Sequence, residues 1–456
     1  MNRWRSAFLV LPLLGMSALL YGQGRIPSPG RTPIWVEESG RFLYRSLEDD
    51  HGGFFVVWTH EQNGAFSLVA QRVGPDGKAF WSLPGNLLAE QLPDADAWDA
   101  FPDGQGGLAL SWTNATGLFA QRFSSDGKPL WPGQPAVLLS TGSCASPAGV
   151  SDAARGAYVV WSEKRMASRQ VLIAQHVNAD GTLLWRPEGL RVSLRPSDQR
   201  NPAVVTDGQA GAIVAWKDFR ENASQIQSQR MDYQGDRLWG EEGIVVTAPA
   251  GAAHERPLLS PGGDGGAAIA WLGARSGANR LFMQSLSATG HFRWAPEGVP
   301  LSFGNSDQWN PSLFGDGEGT VWMGWEDYRN QTHWQVFAES LSSRKPVDPD
   351  PLGLPLAPAG SDQGHVALAD NGRDGVFAAW LDNRSSGSGV YVQEVDANAQ
   401  PLLGEVGQAV VERLINPSTP QLVGLAPGRV SVIVADREKK NRWALYWTVV
   451  NGPSIP

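Results

Sequence analysis

The sequence predicts an all-β protein in which one four-stranded antiparallel unit is repeated eight times around a ring. Three observations support this prediction. A tryptophan-ended apolar run recurs about every 54 residues, two further motifs follow each run, and the composition is rich in turn-forming residues. The 456-residue chain contains 53 Gly and 32 Pro, and only 18% of its residues are charged. Such a composition favours short strands joined by tight turns over a helical bundle.

The first repeated element is an apolar run that ends in Trp. Seven copies, spaced by 49 to 55 residues, end at Trp58, Trp112, Trp161, Trp216, Trp271, Trp325 and Trp380. A degenerate eighth copy occupies residues 430–435, again 55 residues further along. Continuous apolar runs of this length are typical of strands that are covered on both faces.

Two further motifs follow these runs. The second motif, as in LVAQRV at 68–73, has a repeated glutamine at Gln71, Gln121, Gln175, Gln229, Gln284 and Gln393. The third motif, D-G-x-x-L-W or a variant of it, ends at Trp81, Trp131, Trp185, Trp239 and Trp294. Because they recur at one register, we interpret the Trp as packing between repeats and the Gln as a tie to neighbouring backbone.

Each copy divides into four short strands separated by glycine-containing turns, which is the pattern of a β-propeller blade. Residues 23–456 accommodate eight such copies of about 54 residues. The last copy lacks its fourth strand, whereas residues 33–37 form a strand without a repeat of their own. We therefore predict an eight-bladed propeller that is closed by the N-terminal strand, which completes the last blade and removes an unpaired edge. A seven-bladed ring with a C-terminal hairpin is the alternative.

The N-terminus predicts export. Arg3 and Arg5 precede a mostly apolar stretch, Ala7 to Leu20, which has the pattern of a secretory signal and is short for a transmembrane helix. We predict a signal peptide at 1–22 and a single propeller domain at 23–456, exported to the periplasm or the cell exterior. After signal removal no membrane span is expected. Only Gly22 fits the small-residue pattern of a cleavage site, so a retained N-terminal anchor stays an alternative.

Charge and residue usage exclude several classes of function. The net charge of −9 disfavours a nucleic-acid partner, because phosphate binding needs a basic face. The single cysteine, Cys144, excludes an intrachain disulfide and a multi-cysteine metal site. The seven His are dispersed, and neither a nucleophile elbow nor a phosphate loop is present. We therefore expect no metal site and no cofactor.

Two polar motifs are predicted to meet on one face. Three copies continue from the Trp as W-x-D-x-R, and the sequence S-D-Q precedes the blades of these same three copies, four, six and seven. Strands of a blade alternate in direction, so the loop after the second strand and the loop before the first strand open on the same side. We call this side the loop face.

The loop face has a functional and a structural interpretation. In the functional one, Asp, Arg and nearby aromatic side chains bind a ligand, and the candidates are Asp198, Asp218, Arg220, Asp307, Trp309, Asp327, Tyr328, Arg329, Trp334, Asp362, Asp382 and Arg384. His333 lies in the same loops, and Phe219 and His254 are further candidates. In the structural one, Asp–Arg pairs and Asp-capped turns lock neighbouring loops together. No residue is assigned a catalytic role.

The third motif carries a family resemblance. Its copies Asp76-Gly77 to Trp81, Asp126-Gly127 to Trp131 and Asp180-Gly181 to Trp185 resemble the repeats of quinoprotein-type eight-bladed propellers. That resemblance concerns blade packing, since the quinone-dependent enzymes use vicinal cysteines and a calcium-binding acidic set, and this chain has one cysteine. The whole repeat also resembles functionally uncharacterised exported bacterial propeller proteins, which implies no particular activity.

The sequence thus favours an exported, non-catalytic binding or scaffold propeller that recognises a protein or glycan through its loop face. The alternative is a carbohydrate-active enzyme, a hydrolase or lyase, that uses carboxylates on that face. A quinone-dependent oxidoreductase is a third and weaker candidate. The sequence does not determine the oligomeric state.

Overall fold

The computed structural model describes residues 35–37, 41–132, 136–165, 169–220, 223–247, 257–275, 277–301, 306–344, 353–385 and 387–453. Their strands form eight antiparallel four-stranded sheets, and these residues contain no helix. The eight-bladed propeller is therefore confirmed. The seven-bladed alternative is wrong, because the C-terminal strands form an eighth blade instead of an accessory hairpin. The predicted signal peptide lies outside the described residues.

The first four blades follow one another along the chain after an initial strand, β1 (Trp35–Glu37). Blade 1 consists of β2 (Tyr44–Glu48), β3 (Phe54–Gln62), β4 (Ala65–Val73) and β5 (Asn86–Leu92). Blade 2 consists of β6 (Trp98–Pro102), β7 (Leu108–Asn114), β8 (Gly117–Phe123) and β9 (Val137–Ser140). Blade 3 consists of β10 (Cys144–Ser151), β11 (Ala157–Lys164), β12 (Gln170–Val177) and β13 (Leu190–Arg191). Blade 4 consists of β14 (Asp198–Thr206), β15 (Ala212–Arg220), β16 (Ala223–Met231) and β17 (Ile244–Val245).

The remaining blades continue the same order. Blade 5 consists of β18 (Leu258–Pro261), β19 (Ala267–Arg275), β20 (Ala278–Leu286) and β21 (Val299–Pro300). Blade 6 consists of β22 (Gln308–Gly315), β23 (Thr320–Asp327), β24 (Gln335–Ser342) and β25 (Leu354–Pro355). Blade 7 consists of β26 (Gln363–Asp370), β27 (Val376–Ser385), β28 (Gly387–Val395) and β29 (Gln408–Leu414). Blade 8 contains β30 (Gln421–Ala426), β31 (Arg429–Lys439) and β32 (Arg442–Asn451).

The N-terminal strand closes the ring as predicted. Strand β1 pairs antiparallel with β32, so that Trp35 lies opposite Leu445 and Glu37 opposite Trp443. The sheet order β1-β32-β31-β30 makes β1 the outermost strand of blade 8. The first and last parts of the chain thus share one sheet, which leaves the ring without an open junction.

The apolar core lies in the interfaces between neighbouring blades. One cluster joins Tyr158 and Leu172 of blade 3 to Val214 and Trp216 of blade 4, and the other interfaces have clusters of the same kind. The Trp that ends the apolar run of each second strand is at most 4% exposed in all seven copies. Their burial confirms that this Trp packs between blades.

The repeated Gln holds the third motif against its own blade. In blade 4, Gln229 Oε1 accepts a hydrogen bond from the backbone N–H of Trp239 at 2.9 Å, and its Nε2 donates to the carbonyl of Gly240 at 2.6 Å. The indole N–H of Trp239 then donates to the carbonyl of Ala288 in blade 5 at 3.0 Å. Gln and Trp together therefore position this loop and link it to the next blade.

The face opposite the loop face carries a second set of ion pairs. Asp103, in the turn between β6 and β7, accepts backbone hydrogen bonds from Gln105 and Gly107 and binds Arg122 Nε at 2.8 Å. Blade 3 places His176 in the position of this Arg, with its Nε2 2.8 Å from Asp152 Oδ2. Both faces are thus held by buried carboxylates, but only the loop-face set was recognised from the sequence.

The described residues include no helix that is long and apolar enough to span a bilayer.

Candidate binding surface on the loop face

The Asp of each W-x-D-x-R motif lies buried beneath its loop. The indole N–H of Trp325 donates to Asp327 Oδ2 at 3.3 Å, and that of Trp380 donates to Asp382 at 3.2 Å. The same arrangement joins Trp216 to Asp218 at 3.3 Å. All three carboxylates are fully buried.

Each of these carboxylates also binds the Ser of the adjacent S-D-Q sequence. The hydroxyls of Ser197, Ser306 and Ser361 donate to Asp218, Asp327 and Asp382 at 2.6, 2.9 and 2.7 Å. The two motifs that the sequence places on one face are therefore in direct contact. They join the second strand of a blade to the loop that enters that blade.

The Arg of the motif completes the cluster. Arg329 Nη2 lies 2.7 Å from Asp327 Oδ2, and its guanidinium stacks 3.8 Å above the ring of Phe337. Arg384 pairs with Asp382 in the same way and stacks 4.1 Å above Tyr391. The side chain of Arg220 lies outside the described residues, as does His254.

The remaining S-D-Q side chains bind the preceding blade. Asp307 accepts a hydrogen bond from the backbone N–H of Asn279 at 2.9 Å, and Gln308 accepts one from Leu281 at 2.8 Å. Asp198 and Gln199 bind Gln170 and Leu172 of blade 3 at the equivalent positions, and Asp362 and Gln363 bind Trp334 and Val336 of blade 6. The motif is thus a connection between blades.

Proton binding by Asp327 and Asp382 is disfavoured. Burial would raise the pKa of Asp327, but the hydrogen bonds from Arg329, Gln308 and Ser306 outweigh it, so the pKa lies below its usual value. The same balance lowers the pKa of Asp382. Buried carboxylates with saturated hydrogen bonding and lowered pKa values stabilise loops and are unsuited to proton donation.

The exposed predicted residues gather in blades 6 and 7. The rings of Tyr328 and Trp334 are in contact in a tilted arrangement, with centroids 5.1 Å apart, and both residues are partly exposed. His333 lies 3.6 Å from the exposed carboxylate of Asp362. Trp309, by contrast, packs against the apolar cluster between blades 5 and 6. The structure thus brings an aromatic pair beside Asp362 and places Trp309 against the core.

Four inner strands carry an irregularity that the sequence analysis missed. The register of β10, β14, β22 and β26 shifts by a β-bulge, and each bulge contains a residue with positive φ. These residues are Ser146 (φ 50), Asn201 (φ 54), Asn310 (φ 49) and His365 (φ 57). Bulges and left-handed non-glycine residues are enriched at functional sites. Three of them precede proline, so a repeated Ser-Pro or Asn-Pro at the start of the first strand was the available signal.

A cavity of about 520 Å³ opens among the inner strands of blades 1 to 4, which include β10 and β14. Its wall includes Tyr44, Arg45, Asp94, Trp98, Ser146 and Asn201, from the loop-face ends of blades 1 to 4. Ser146 is exposed and Asn201 partly exposed. The cavity therefore lies where the inner strands of successive blades meet, and none of these six residues belongs to a W-x-D-x-R or S-D-Q motif.

Ion pairs offset much of the charge around this cavity. Arg41 pairs with Asp94, and Arg45 pairs with Asp99 and lies 5.6 Å from the ring of Trp98. Cys144 also lines the cavity, and burial raises the pKa of its thiol to about 11. At neutral pH the cavity is therefore lined by paired charges, hydroxyl and amide groups, and a protonated thiol.

A chain of hydrogen bonds links blades 6, 7, 8 and 1 on the loop face. Asn310 Nδ2 donates to Glu326 Oε1 at 2.7 Å, and Glu326 also accepts the backbone N–H of His365. His365 Nδ1 lies 2.9 Å from Thr419 Oγ1, and the Tyr44 hydroxyl donates to the carbonyl of Thr419 at 2.8 Å. This chain reaches Tyr44, which also lines the cavity.

Metal ligation finds no support in the part of the chain that the structure describes, since no three His, Cys, Asp or Glu side chains there are grouped as possible ligands.

Comparisons with known proteins place the chain by its fold. No protein-family model matches it, and no curated protein matches it. It is similar to the BP39L lectin from Burkholderia pseudomallei, at 14% identity and a TM-score of 0.50, over 91% of this chain and 98% of the lectin.

Two enzymes show weaker structural similarity. The polysaccharide lyase Uly1 is 9% identical with a TM-score of 0.44, over 96% of this chain and 94% of the lyase. The endo-arabinase from Bacteroides thetaiotaomicron is 13% identical with a TM-score of 0.32, over 56% of this chain and 94% of the enzyme. At such identities, what this chain shares with the lectin is the fold.

Proposed function

We propose that the protein is an exported binding propeller that binds a glycan in the loop-face cavity between blades 1 to 4. The observation that carries the proposal is the cavity itself, in which Ser146 and Asn201 are presented by strained bulges. Positive φ at two residues that line one cavity implies a use for the side chains that they present. Residues 1–22 would act as the export signal, and the site would face the periplasm or the cell exterior.

The chemistry of the cavity suits a short oligosaccharide. Its volume of about 520 Å³ falls within the usual range of ligand sites. Amide and hydroxyl side chains both donate and accept hydrogen bonds, as sugar hydroxyls do. The aromatic residues Tyr44 and Trp98 contribute to the same wall. The exposed pair Tyr328 and Trp334, with Asp362 beside it, offers a further contact for a longer chain.

Binding is favoured over cleavage by the state of the loop-face carboxylates. A glycoside hydrolase needs one carboxyl group with a raised pKa as a proton donor. Asp327 and Asp382 instead have lowered pKa values and are enclosed by their own loops. A carbohydrate-active enzyme is therefore the second candidate, to be tested by the same preparation.

The test uses residues 23–456 on a glycan array, followed by calorimetry with the glycans retained. Asn201→Gly combined with Ser146→Gly removes the polar groups but preserves the left-handed backbone, because glycine adopts positive φ freely. We expect affinity to fall at least tenfold, as the loss of one or two hydrogen bonds implies. Asn441→Gly is the matched control, since Asn441 has a φ of 61 in the loop between β31 and β32 of blade 8.

Unchanged affinity of the double variant, or binding to no glycan, would contradict the proposed site. Incubation with the bound glycan, followed by assays for new reducing ends and for unsaturated products, separates a binder from a hydrolase or lyase. Product formation would replace the binding proposal with the enzyme candidate.

A further inference from the structure

An apolar row occupies the face opposite the loop face. The residue before the Trp of the third motif is a large apolar side chain in blades 1 to 4, and its exposure is 59% at Phe80, 44% at Leu130, 37% at Leu184 and 45% at Leu238. We call these four residues the apolar rim. Each donates its backbone N–H to the carbonyl of the third strand, for example Phe80 to Arg72 and Leu130 to Arg122. The rim therefore has the same position in four consecutive blades.

Equivalent positions in neighbouring blades lie in one plane, because the blades are related by rotation about a common axis. A flat surface can therefore contact all four rim residues at once. The rim is confined to one side of the ring, since blade 5 has Arg293 at this position and the Leu402 of blade 7 is partly buried.

A second apolar row continues the rim along the outer wall. Leu87, Leu138 and Val245 are exposed on the fourth strands of blades 1, 2 and 4. They share one register, opposite Val69, Phe119 and Gln227 of the third strands. Exposed Lys78 and Lys128 stand two residues before Phe80 and Leu130. Lys78 also pairs with Asp76 at 2.9 Å.

The N-terminal segment joins the propeller on this same face. Fourth strands run towards the loop face, and β1 takes the fourth position in blade 8, which adjoins blade 1. Strand β1 therefore begins on the side of the apolar rim. The sequence before Trp35 contains the apolar stretch Ala7 to Leu20, and the 14 residues between Leu20 and Trp35 span at most about 50 Å.

We propose that the apolar rim is a lipid-contact surface, held at a bilayer by the retained N-terminal apolar stretch, with the loop face directed away from the membrane. A planar arc of apolar side chains matches a planar apolar surface. The direction of the N-terminal chain brings that arc to the membrane. In this arrangement residues 1–22 are kept after export instead of being cleaved off. Glycan binding at the loop face does not depend on whether they are kept.

The test places a single fluorescent label on the full chain in phosphatidylcholine vesicles that contain spin-labelled lipid. Cys144→Ser removes the native thiol, and Phe80→Cys or Leu238→Cys then provides the labelling site. Ile415→Cys and Phe219→Cys are controls, because both native residues are exposed at loop-face positions. We expect quenching by the spin-labelled lipid to be at least fivefold stronger at the rim positions than at the controls.

Equal quenching at all four positions, or none at the rim, would overturn the proposal. A label at Leu238 that becomes protected without lipid as the protein concentration rises would assign the rim to a second copy of the chain. The intact mass of protein recovered from the exporting cell tests the anchor, since a chain that starts near residue 23 would also overturn it. Glycan affinity measured on the unlabelled native chain, which keeps Cys144 and Phe219, keeps the two proposals separate.

Discussion

At the residue scale, the buried Trp requires a glycine at the position that its indole ring contacts. Gly407 has a φ of 68, and a Cβ there would lie 2.7 Å from Trp380 Cη2. Three residues earlier, Gly404 has a φ of 81, but a Cβ there would meet nothing within 4 Å. Both positions require left-handed backbone, yet only Gly407 also makes room for the buried indole.

This pair of glycines supports a prediction. Gly404→Ala should cost about 1 kcal/mol of unfolding free energy through the unfavourable φ alone. Gly407→Ala should cost a further 1–3 kcal/mol, roughly, because Trp380 must also shift in a packed interface. Urea denaturation of the two variants measures the difference. Equal losses would mean that the indole moves freely and that the Trp does not determine the glycine.

Residue identity in the polar motifs was readable from the sequence, but residue environment was not. The spacing of Asp327 and Arg329 and their face were correctly predicted, because strand alternation fixes them. Their burial was not predictable from the sequence, since it depends on a tertiary contact with Ser306 of the preceding inter-blade loop. The bulge at Asn201 was missed because period-2 patterning assumes regular pairing and gives no weight to one inserted residue.

At the element scale, the S-D-Q sequence compensates for short outer strands. The fourth strands of blades 3, 5 and 6 have only two residues, and S-D-Q follows each of them. The fourth strands of blades 1, 2 and 7 have seven, four and seven residues, and no S-D-Q follows these. A short fourth strand leaves the start of the third strand uncovered, and Asp and Gln of the next blade bind the N–H groups there.

Blade 4 is the informative exception. Its fourth strand is also two residues long, and the N–H of Ile226 is bound by Thr247 Oγ1 at 3.2 Å instead. The four-strand division of each copy was correctly predicted. The difference between short and long outer strands was not, because a two-residue strand has no periodicity to detect.

Substitution of a motif Gln tests this compensation. Gln308→Ala should lower the unfolding free energy by about 1–3 kcal/mol, since the buried N–H of Leu281 loses its acceptor. Hydrogen exchange at Leu281 should accelerate about tenfold, with Val336 unchanged. Gln363→Ala is the reciprocal control and should accelerate Val336 alone. Uniform acceleration at both amides in either variant would show global loosening and contradict a local connection.

At the scale of the whole molecule, several loops share one dependence on pH. The pKa values of Glu163, Asp327 and Asp382 all lie below their usual values, since hydrogen bonds from a nearby Arg and from neighbouring side chains outweigh the effect of burial. A carboxylate with a lower pKa in the folded than in the unfolded state stabilises the fold above the unfolded value. That stability is lost as pH falls through the folded pKa.

The fold should therefore weaken on acidification below about pH 4, where the unfolded carboxyl groups begin to bind protons first. Urea midpoints at pH 7, 5 and 3 measure the loss. The double variant Asp327→Asn, Asp382→Asn should be less stable at pH 7 but should lose less between pH 7 and pH 3 than the native protein. Parallel pH profiles for the two proteins would exclude these carboxylates as the cause.

The closure of the ring by β1 also determines how the molecule would respond to force. Since β1 is antiparallel to β32, the first residue of β1 and the last residue of β32 lie towards the same end of the strand pair. Tension applied between these two points would open the hydrogen bonds of β1 one after another, as a zipper opens, instead of loading them together in shear. Strand β1, which closes the ring, is thus the strand that would detach first when the protein is pulled at these two points.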